Sequence, residues 1–249
     1  MLRVTFLGTG DAFHSESRLH SCYLLDTANS CVAVDFGATA MLALRRIGFD
    51  PRRIAHVVVT HLHGDHVAGL PFLVLDGVYR APRTEPLDLV GPTGFRERLD
   101  LLLRAAYDDL AAKAPFEIRA RELAPGGELH VGPLQARGFA ADHMDPPHRP
   151  LSVRLSIGAT SIAFSGDTQW SDDLAACADG ADLLIAECTG LRPPIGRHLT
   201  LDDWRERRAS IRARRVVLSH VGLGVAEAAR EAGFEVAEDG ASIELESST

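Results

Sequence analysis

The sequence predicts an α/β protein in which two β-sheets lie between layers of helices. Two observations predict this class. Short apolar strands and amphipathic helical stretches follow one another, and the order strands, helix, strands occurs twice along the 249 residues. In addition, 46% of the residues are hydrophobic, which is enough for a substantial core, and no linker or fixed-period repeat divides the chain. We therefore expect one domain over residues 1–249.

The first half of the chain predicts strands on both sides of an amphipathic helix. GATAMLALRRIG has apolar residues at helical spacing and ends in Gly48, a residue suited to stop the helix. Another helix should follow from about His66, with Pro71 kinking or delaying it. The strongest amphipathic pattern, FRERLDLLLRAAYDDLAA, predicts a long helix. Apolar runs predict strands over 4–7, 22–25, 31–35 and 54–60, and a further strand within LDLVGPTGF.

The second half predicts a group of strands and then an alternating series. Apolar alternation predicts strands over 117–122, 128–130, 135–139, 152–156 and 161–164. The series that follows should contain a helix over 172–178, a strand over 183–186, a helix over 201–211, a strand over 216–219 and a helix over 225–232. The two halves therefore have a similar plan.

Composition narrows the range of functions. The net charge of −8 argues against a broad nucleic-acid surface, which is normally basic. Apolar runs stop well short of the roughly 20 residues that a membrane helix needs, and the N-terminus lacks the pattern of a signal peptide. Four cysteines without a C-x-x-C pair are typical of buried free thiols. We therefore expect a cytoplasmic protein without a membrane segment.

Potential metal ligands follow the apolar strands. In VVVTHLHGDHVAGL, three histidines and an aspartate occupy positions 61, 63, 65 and 66, a spacing unlike the helical H-E-x-x-H motif. The stretches ADHMDPPH, SGDT, AECTG and LSH follow four further strands. Because sites usually form on loops that follow strands, the five loops can converge on one cleft.

These motifs resemble the metallo-β-lactamase superfamily, whose fold is a four-layered αββα sandwich holding one or two metals. FLGTGDAFHSESRLHSCYLLD, together with SGDT, HLT and LSH, is similar more narrowly to the ribonuclease Z-like branch, in a short form without its long arm. The resemblance extends from about Leu2 to His220 and implies a hydrolase.

The resemblance also implies a ligand set for two divalent metal ions. Imidazole and carboxylate ligands suit Zn²⁺, our first choice, and also Mn²⁺ or Fe²⁺. Two metals about 3.5–4 Å apart lower the pKa of a bridging water to near 7. By the resemblance, one metal would be held by His61, His63 and His143, the other by Asp65, His66 and His220, with Asp167 bridging.

Several assignments stay open at the level of the sequence. His143 directly follows a strand and matches the family, whereas His148 lies among prolines; we favour His143 as the ligand and assign His148 to substrate contact or to the surface. Glu187 either orients a neighbouring ligand or His198, or is a simple strand-end carboxylate. The resemblance places His198 near the scissile phosphate as a proton donor. The alternatives are that Asp65 or a metal handles the proton, and that His198 only hydrogen-bonds Glu187.

Two departures from the ribonuclease Z pattern favour a small substrate. The interval from His143 to Asp167 is 24 residues, too short for a tRNA-gripping arm, and VGLGVAEAA after His220 lacks a Ser-x-Arg-Tyr motif. We therefore expect a phosphodiesterase for a small, possibly cyclic, phosphodiester, without extended nucleic-acid binding. A homodimer is compatible with the sequence. The alternatives are a tRNA 3′-processing endoribonuclease, a lactonase or other ester hydrolase, and a low-turnover binding protein of a biosynthetic pathway.

Overall fold

A computed structural model describes residues 2–27, 30–193 and 195–245, and these residues contain fourteen β-strands. They form two seven-stranded sheets, in the orders given after their bounds. The strands are β1 (Leu2–Gly8), β2 (Cys22–Asp26), β3 (Cys31–Val34), β4 (Ile54–Val58), β5 (Leu87–Gly91), β6 (Ile118–Glu122), β7 (Glu128–Val131), β8 (Leu134–Ala140), β9 (Leu151–Ile157), β10 (Thr160–Phe164), β11 (Leu183–Glu187), β12 (Arg215–Ser219), β13 (Glu235–Val236) and β14 (Ser242–Leu245).

The first sheet has the order β14-β1-β2-β3-β4-β5-β6, and the second has the order β13-β12-β11-β10-β9-β8-β7. In the first sheet β3 to β6 run parallel, and in the second sheet β10 to β13 do. Because the carboxyl ends of parallel strands share one edge of a sheet, the loops after β3 and β4 lie together, as do those after β10, β11 and β12.

Eight α-helices cover the outer faces of the sheets within the described residues. The first five lie on the side of the first sheet, and the last three pack against the second. They are α1 (Ala40–Arg46), α2 (Gly64–Val67), α3 (Leu70–Leu75), α4 (Phe95–Tyr107), α5 (Leu110–Lys113), α6 (Asp172–Ala178), α7 (Leu201–Arg207) and α8 (Val225–Glu231).

The strands bury side chains on both faces. In β4, Val58 packs into the core between the two sheets, whereas Val57 packs against the helices outside the first sheet. In β11, Ile185 faces the core between the sheets and Leu184 faces the helices outside the second sheet. This alternation produces helix, sheet, sheet and helix layers, so the predicted αββα sandwich is confirmed.

The helix predicted from about His66 forms as two short helices. The first, α2, begins at Gly64, two residues earlier than predicted, and α3 begins at Leu70 with Pro71 in its first turn. Proline is tolerated there because the first turn lacks intrahelical partners for its N–H groups. A Cβ on Gly69 would lie 2.2 Å from the carbonyl oxygen of Gly37, so this close approach requires glycine between the helices.

Other element ends differ modestly from the predictions. The long amphipathic helix breaks after Tyr107 and resumes as α5, while α7 ends at Arg207 and continues as a 3₁₀ turn over Arg208–Ser210. Gly48 follows α1 with φ +69°, as its predicted stop position requires. The edge strands β13 and β14 were not anticipated, because short, partly exposed segments carry little hydrophobic periodicity. None of the helices among the described residues is long and apolar enough to cross a membrane.

Candidate metal centre

The loops that follow β4, β8, β10 and β12 bring seven predicted ligand residues into two adjacent groups. The first group contains His61, His63 and His143, and His143 Nε2 lies 2.9 Å from His63 Nδ1. His61 is fully buried, whereas His63 reaches the surface. Three imidazoles from two loops thus converge on one point.

The second group contains Asp65, His66, Asp167 and His220, all of them buried. Asp65 Oδ2 lies 3.2 Å from His220 Nε2 and 3.4 Å from His66 Nε2. His220 has a left-handed backbone, with φ 49°, which is uncommon outside glycine and typical of functional sites. This backbone turns its imidazole back toward the first sheet at the end of β12.

Asp167 lies between the two groups. Its carboxylate oxygens are 3.6 Å from His61 Nε2 and 3.7 Å from His143 Nε2 on one side. On the other side they are 3.4 Å from both His66 Nε2 and His220 Nε2. One carboxylate therefore faces imidazoles of both groups, as a bridging ligand would.

Three buried polar atoms at this centre have no hydrogen-bond partner among the residues that the structure describes. They are His61 Nε2, His66 Nε2 and Asp167 Oδ1. Unsatisfied buried polar atoms are rare and call for an explanation such as a bound ion. Imidazole nitrogens and carboxylate oxygens are the ligand atoms that divalent first-row metals take, so the residues present fit such ions.

Burial favours the neutral forms of the imidazoles in the first group. Burial lowers the pKa of His61 well below its usual value, and it also lowers the pKa of His63 and of His143. Burial alone would raise the pKa of Asp167, but His220, His66 and His61 lower it well below the usual value. Neutral imidazoles and an ionised carboxylate are the forms that bind metal.

Asp35, which the sequence analysis did not single out, orients the loop after β4. Its carboxylate accepts hydrogen bonds from Thr60 N at 2.7 Å and Thr60 Oγ1 at 2.9 Å, and it lies 2.8 Å from His66 Nδ1. The last contact leaves His66 Nε2 directed toward Asp167. An aspartate directly after a buried strand that neighbours β4 was the available signal, although its partners are visible only in three dimensions.

Glu187 lies at the end of β11, and its carboxylate contacts His198. The carboxylate accepts hydrogen bonds from Thr168 N and Thr189 Oγ1, each at 2.6 Å, and both of its oxygens lie 3.1 Å from His198 Nδ1. Burial, the largest single effect, lowers the pKa of His198, but the hydrogen bond that His198 makes to Glu187 and the charges of Glu187 and Asp167 together outweigh it, so the net pKa is raised. Thr189 Oγ1 also lies 3.0 Å from His220 Nδ1, so one hydroxyl contacts both loops.

His198 lies directly before α7 at the rim of the centre. Thr200 caps α7 by accepting a hydrogen bond from Asp203 N, and the reciprocal contact forms a capping box. The structure brings His198 to 3.9 Å from Asp167, between Nδ1 and Oδ2. His148 does not join either ligand group among the described residues; it lines a separate cleft with Leu62.

A hydrogen-bonded frame, formed by Thr9, Leu19 and Asp239, lies behind the His220 loop. Asp239 Oδ1 accepts from Thr9 N at 2.9 Å and from Thr9 Oγ1 at 2.8 Å, while Oδ2 accepts from Leu19 N at 2.8 Å. The carbonyl oxygen of Thr9 accepts from Val221 N at 3.0 Å, next to His220. The frame thus ties the C-terminal segment to the loop that presents His220.

Comparison with known proteins gives a family and a fold. The family model described as "Anti-Pycsar protein Apyc1" matches residues 2–239. Among curated proteins, a ribonuclease Z of Methanothermobacter thermautotrophicus is 26% identical, with 89% of this chain and 87% of that protein covered.

Solved structures with the same fold cover nearly the whole chain. The metallo-β-lactamase fold protein YhfI from Bacillus subtilis superposes with a TM-score of 0.80 at 21% identity, over 98% of this chain and 100% of that one. The short form of human tRNase Z (ELAC1) superposes with a TM-score of 0.78 at 24% identity, over 98% of this chain and 99% of that one.

Proposed function

The chain belongs to the family described as Anti-Pycsar protein Apyc1, a ribonuclease Z-like short form within the metallo-β-lactamase superfamily, and from this premise we propose that it is a metal-dependent phosphodiesterase. The proposed substrate is a small, possibly cyclic, phosphodiester. The observation that carries the proposal is the position of Asp167 between two histidine-rich groups.

Two divalent cations fit this arrangement, and Zn²⁺ is the proposed metal. His61, His63 and His143 would hold one, Asp65, His66 and His220 would hold the other, and Asp167 would contact both. When bound, such a pair supplies Lewis acidity toward phosphoryl oxygens and makes water a nucleophile near neutral pH.

The protein's own residues handle the protons of the reaction. As water attacks phosphorus, the bond from phosphorus to the leaving oxygen breaks, and that oxygen needs a proton. His198 is the proposed donor, because Glu187 holds its Nδ1 and keeps the imidazolium favoured. Asp65, an ionised carboxylate beside His220, is the proposed acceptor for a proton of the attacking water.

A second candidate function is tRNA 3′ processing. The curated relatives named ribonuclease Z favour it over a small substrate. The chain itself favours the small substrate: the interval from His143 to Asp167 contains the short β9–β10 hairpin, and the net charge is −8. Polyanion binding normally needs a basic surface.

We expect small phosphodiesters to be hydrolysed far better than precursor tRNA. Purified protein is assayed with cyclic and linear phosphodiesters and with a precursor tRNA, all at physiological salt because salt sets nucleic-acid affinity. Cleavage of the precursor tRNA at its 3′ side with a kcat/KM equal to or above that of every small diester would establish the second candidate instead.

Metal analysis with bis(p-nitrophenyl) phosphate tests the phosphodiesterase proposal as a whole. A protein with its full metal content should release p-nitrophenolate. Lactones and thioesters are assayed in parallel, because the same centre could serve an ester hydrolase. Full metal content without hydrolysis of any ester would indicate a binding protein and contradict the proposal.

The frame behind His220 gives a prediction about metal affinity. Asp239→Asn places an amide where the carboxylate accepts N–H groups from Thr9 and Leu19, so the His220 loop should shift. We expect the affinity of one of the two metals to fall by about tenfold, the lower end of what residues that orient ligands contribute. Competition titration with a chelating dye measures both affinities.

The matched control for that variant is Glu238→Gln. Glu238 is half exposed and contacts Arg18 and Arg230 instead of the frame. It should bind both metals as the unchanged protein does. Two wild-type affinities in Asp239→Asn, accompanied only by a lower Tm, would show that the frame stabilises the fold without positioning His220.

A further inference from the structure

A cleft of about 930 Å³ opens beside His198, and apolar side chains line much of its rim. Three exposed hydrophobic side chains from three different loops line it: Phe13 is 86% exposed, Leu223 is 78% exposed and Leu191 is 41% exposed. His143 and His198 lie in its wall. Single exposed apolar residues are ordinary, but three that converge on one cleft mark a binding surface.

The loop that presents Phe13 is held in place by hydrogen bonds. The Asp11 carboxylate accepts from Phe13 N at 3.1 Å, from Ser15 N at 3.0 Å and from Ser15 Oγ at 2.8 Å. These bonds fix the backbone on both sides of Phe13. The ring is therefore held out into solvent beside the centre by a formed turn.

The same loop contains three residues in the left-handed region. His14, Glu16 and Ser17 have φ values of 57°, 55° and 62°. Such conformations are unfavourable for residues other than glycine and persist where the surrounding structure holds them, often at ligand sites. The loop therefore forms a strained turn that leaves the Phe13 ring exposed at the surface.

A second contact joins the Phe13 and Leu223 loops. Glu16 Oε1 accepts a hydrogen bond from Gly224 N at 3.0 Å. Gly224 directly follows Leu223, so this bond keeps the two exposed side chains on neighbouring parts of the rim. The exposed side chains of Phe13 and Leu223 therefore belong to one surface, because a hydrogen bond joins the two loops that carry them.

Three charged side chains line the cleft: Asp11 and Arg197 make contacts within the protein, and Arg192 is exposed on the rim. The Asp11 oxygens are used within their own turn, and Arg197 pairs with Asp145 at 2.7 Å and with Asp142 at 3.8 Å. What the cleft offers a ligand beyond its reactive histidines and Arg192 is mainly apolar area. A flat apolar ring would bury the face of Phe13 and the methyl groups of Leu223 together.

We propose that this cleft binds an apolar ring on the group attached to the leaving oxygen of the phosphodiester, with Phe13 and Leu223 as the residues that determine this specificity. The proposal rests on the proposed function, because His198 is there the proton donor to the leaving oxygen. The group attached to that oxygen must extend away from His198, and the cleft is the space that His198 lines.

Methyl benzyl phosphate tests the proposal within one molecule. Attack of water on phosphorus breaks either of two bonds and gives benzyl alcohol with methyl phosphate, or methanol with benzyl phosphate. The two alcohols are similarly poor leaving groups, so binding decides the ratio. The metal-loaded protein should release benzyl alcohol at least about tenfold over methanol, as expected for burial of one aromatic ring. Proton NMR of the products measures the ratio.

Two variants and one control complete the test. Phe13→Ser and Leu223→Ser should each bring the ratio of benzyl alcohol to methanol toward one. Phe72→Ser removes a comparable, 41% exposed ring on α3 outside the cleft and should leave the ratio unchanged. A ratio near one in the unchanged protein, or a ratio that Phe13→Ser does not alter, would overturn the proposal.

Failure of the proposed function gives a different result. In that case bis(p-nitrophenyl) phosphate is not hydrolysed either. If only methyl benzyl phosphate resists cleavage, benzyl phosphate and methyl phosphate are compared as inhibitors of bis(p-nitrophenyl) phosphate hydrolysis. Benzyl phosphate should have an inhibition constant at least about tenfold lower than that of methyl phosphate. Equal inhibition constants overturn the proposal. If Phe13→Ser changes only the molecular mass measured by light scattering, the rim is a contact surface for a second copy of the chain. That result would likewise overturn the proposal.

Discussion

Replacing Asp167 with alanine is expected to abolish phosphodiester hydrolysis and to reduce the metal content from two ions to at most one weakly held ion. The expectation follows from its position, since its oxygens lie within 3.7 Å of a nitrogen of His61, His143, His66 and His220. Removing this carboxylate takes a ligand from both groups and leaves their histidines to repel each other when protonated. Elemental analysis of dialysed protein gives the metal content.

The control for this variant is Asp172→Ala. Asp172 is an exposed aspartate five residues further along, in the first turn of α6, and it should keep two metals and full activity. If Asp167→Ala also retains two tightly bound ions per chain, Asp167 does not bridge the groups.

The His198→Ala variant should lose activity while it keeps its metals. We expect kcat for alkyl phosphodiesters to fall by about 10²–10⁴-fold, the usual contribution of a positioned general acid. Folding and metal content should be unchanged, because His198 Nδ1 lies 3.1 Å from both oxygens of Glu187 but 3.9 Å from Oδ2 of Asp167, a proposed ligand. Steady-state kinetics, circular dichroism and metal analysis together give these three quantities.

The choice of leaving group distinguishes a proton-donating role of His198 from a structural role. A p-nitrophenolate leaving group departs without a proton, so the loss in His198→Ala should shrink strongly for bis(p-nitrophenyl) phosphate. His130→Ala, which removes an exposed imidazole on β7, should behave as the unchanged protein with both substrates. Near wild-type turnover of an alkyl diester by His198→Ala would remove His198 from the mechanism, and an equal loss with both leaving groups would make it a positioning residue.

The order of strands and helices could be predicted from the sequence because most strands are buried. The helix α6 has the predicted bounds. The predicted strands of both sheets begin and end within two residues of their predicted bounds, because burial gives them a clear apolar pattern. The exceptions have local causes: Pro71 divides one helix into α2 and α3, and the edge strands β13 and β14 bury too little to leave a pattern.

Some of the metal-centre residues could be predicted from the sequence. The cluster from His61 to His66 is a local pattern, and the resemblance to a known family supplied His143, Asp167 and His220 as further candidates. Asp35 escaped detection because a single aspartate after a strand is common, and its role depends on contacts with Thr60 and His66.

The class of fold and the residue types available for metal binding could be predicted from local patterns, because hydrophobic periodicity and ligand spacing are properties of neighbouring residues. Which distant groups meet depends on how the chain packs in three dimensions. This packing brought Glu187 to 3.1 Å from His198, across eleven residues, and Asp239 to Thr9, across 230 residues. It also gathered Phe13 and Leu223 on one rim. Contacts of this kind arise when two sheets pack and their loops share one edge, and no local pattern in the chain specifies them.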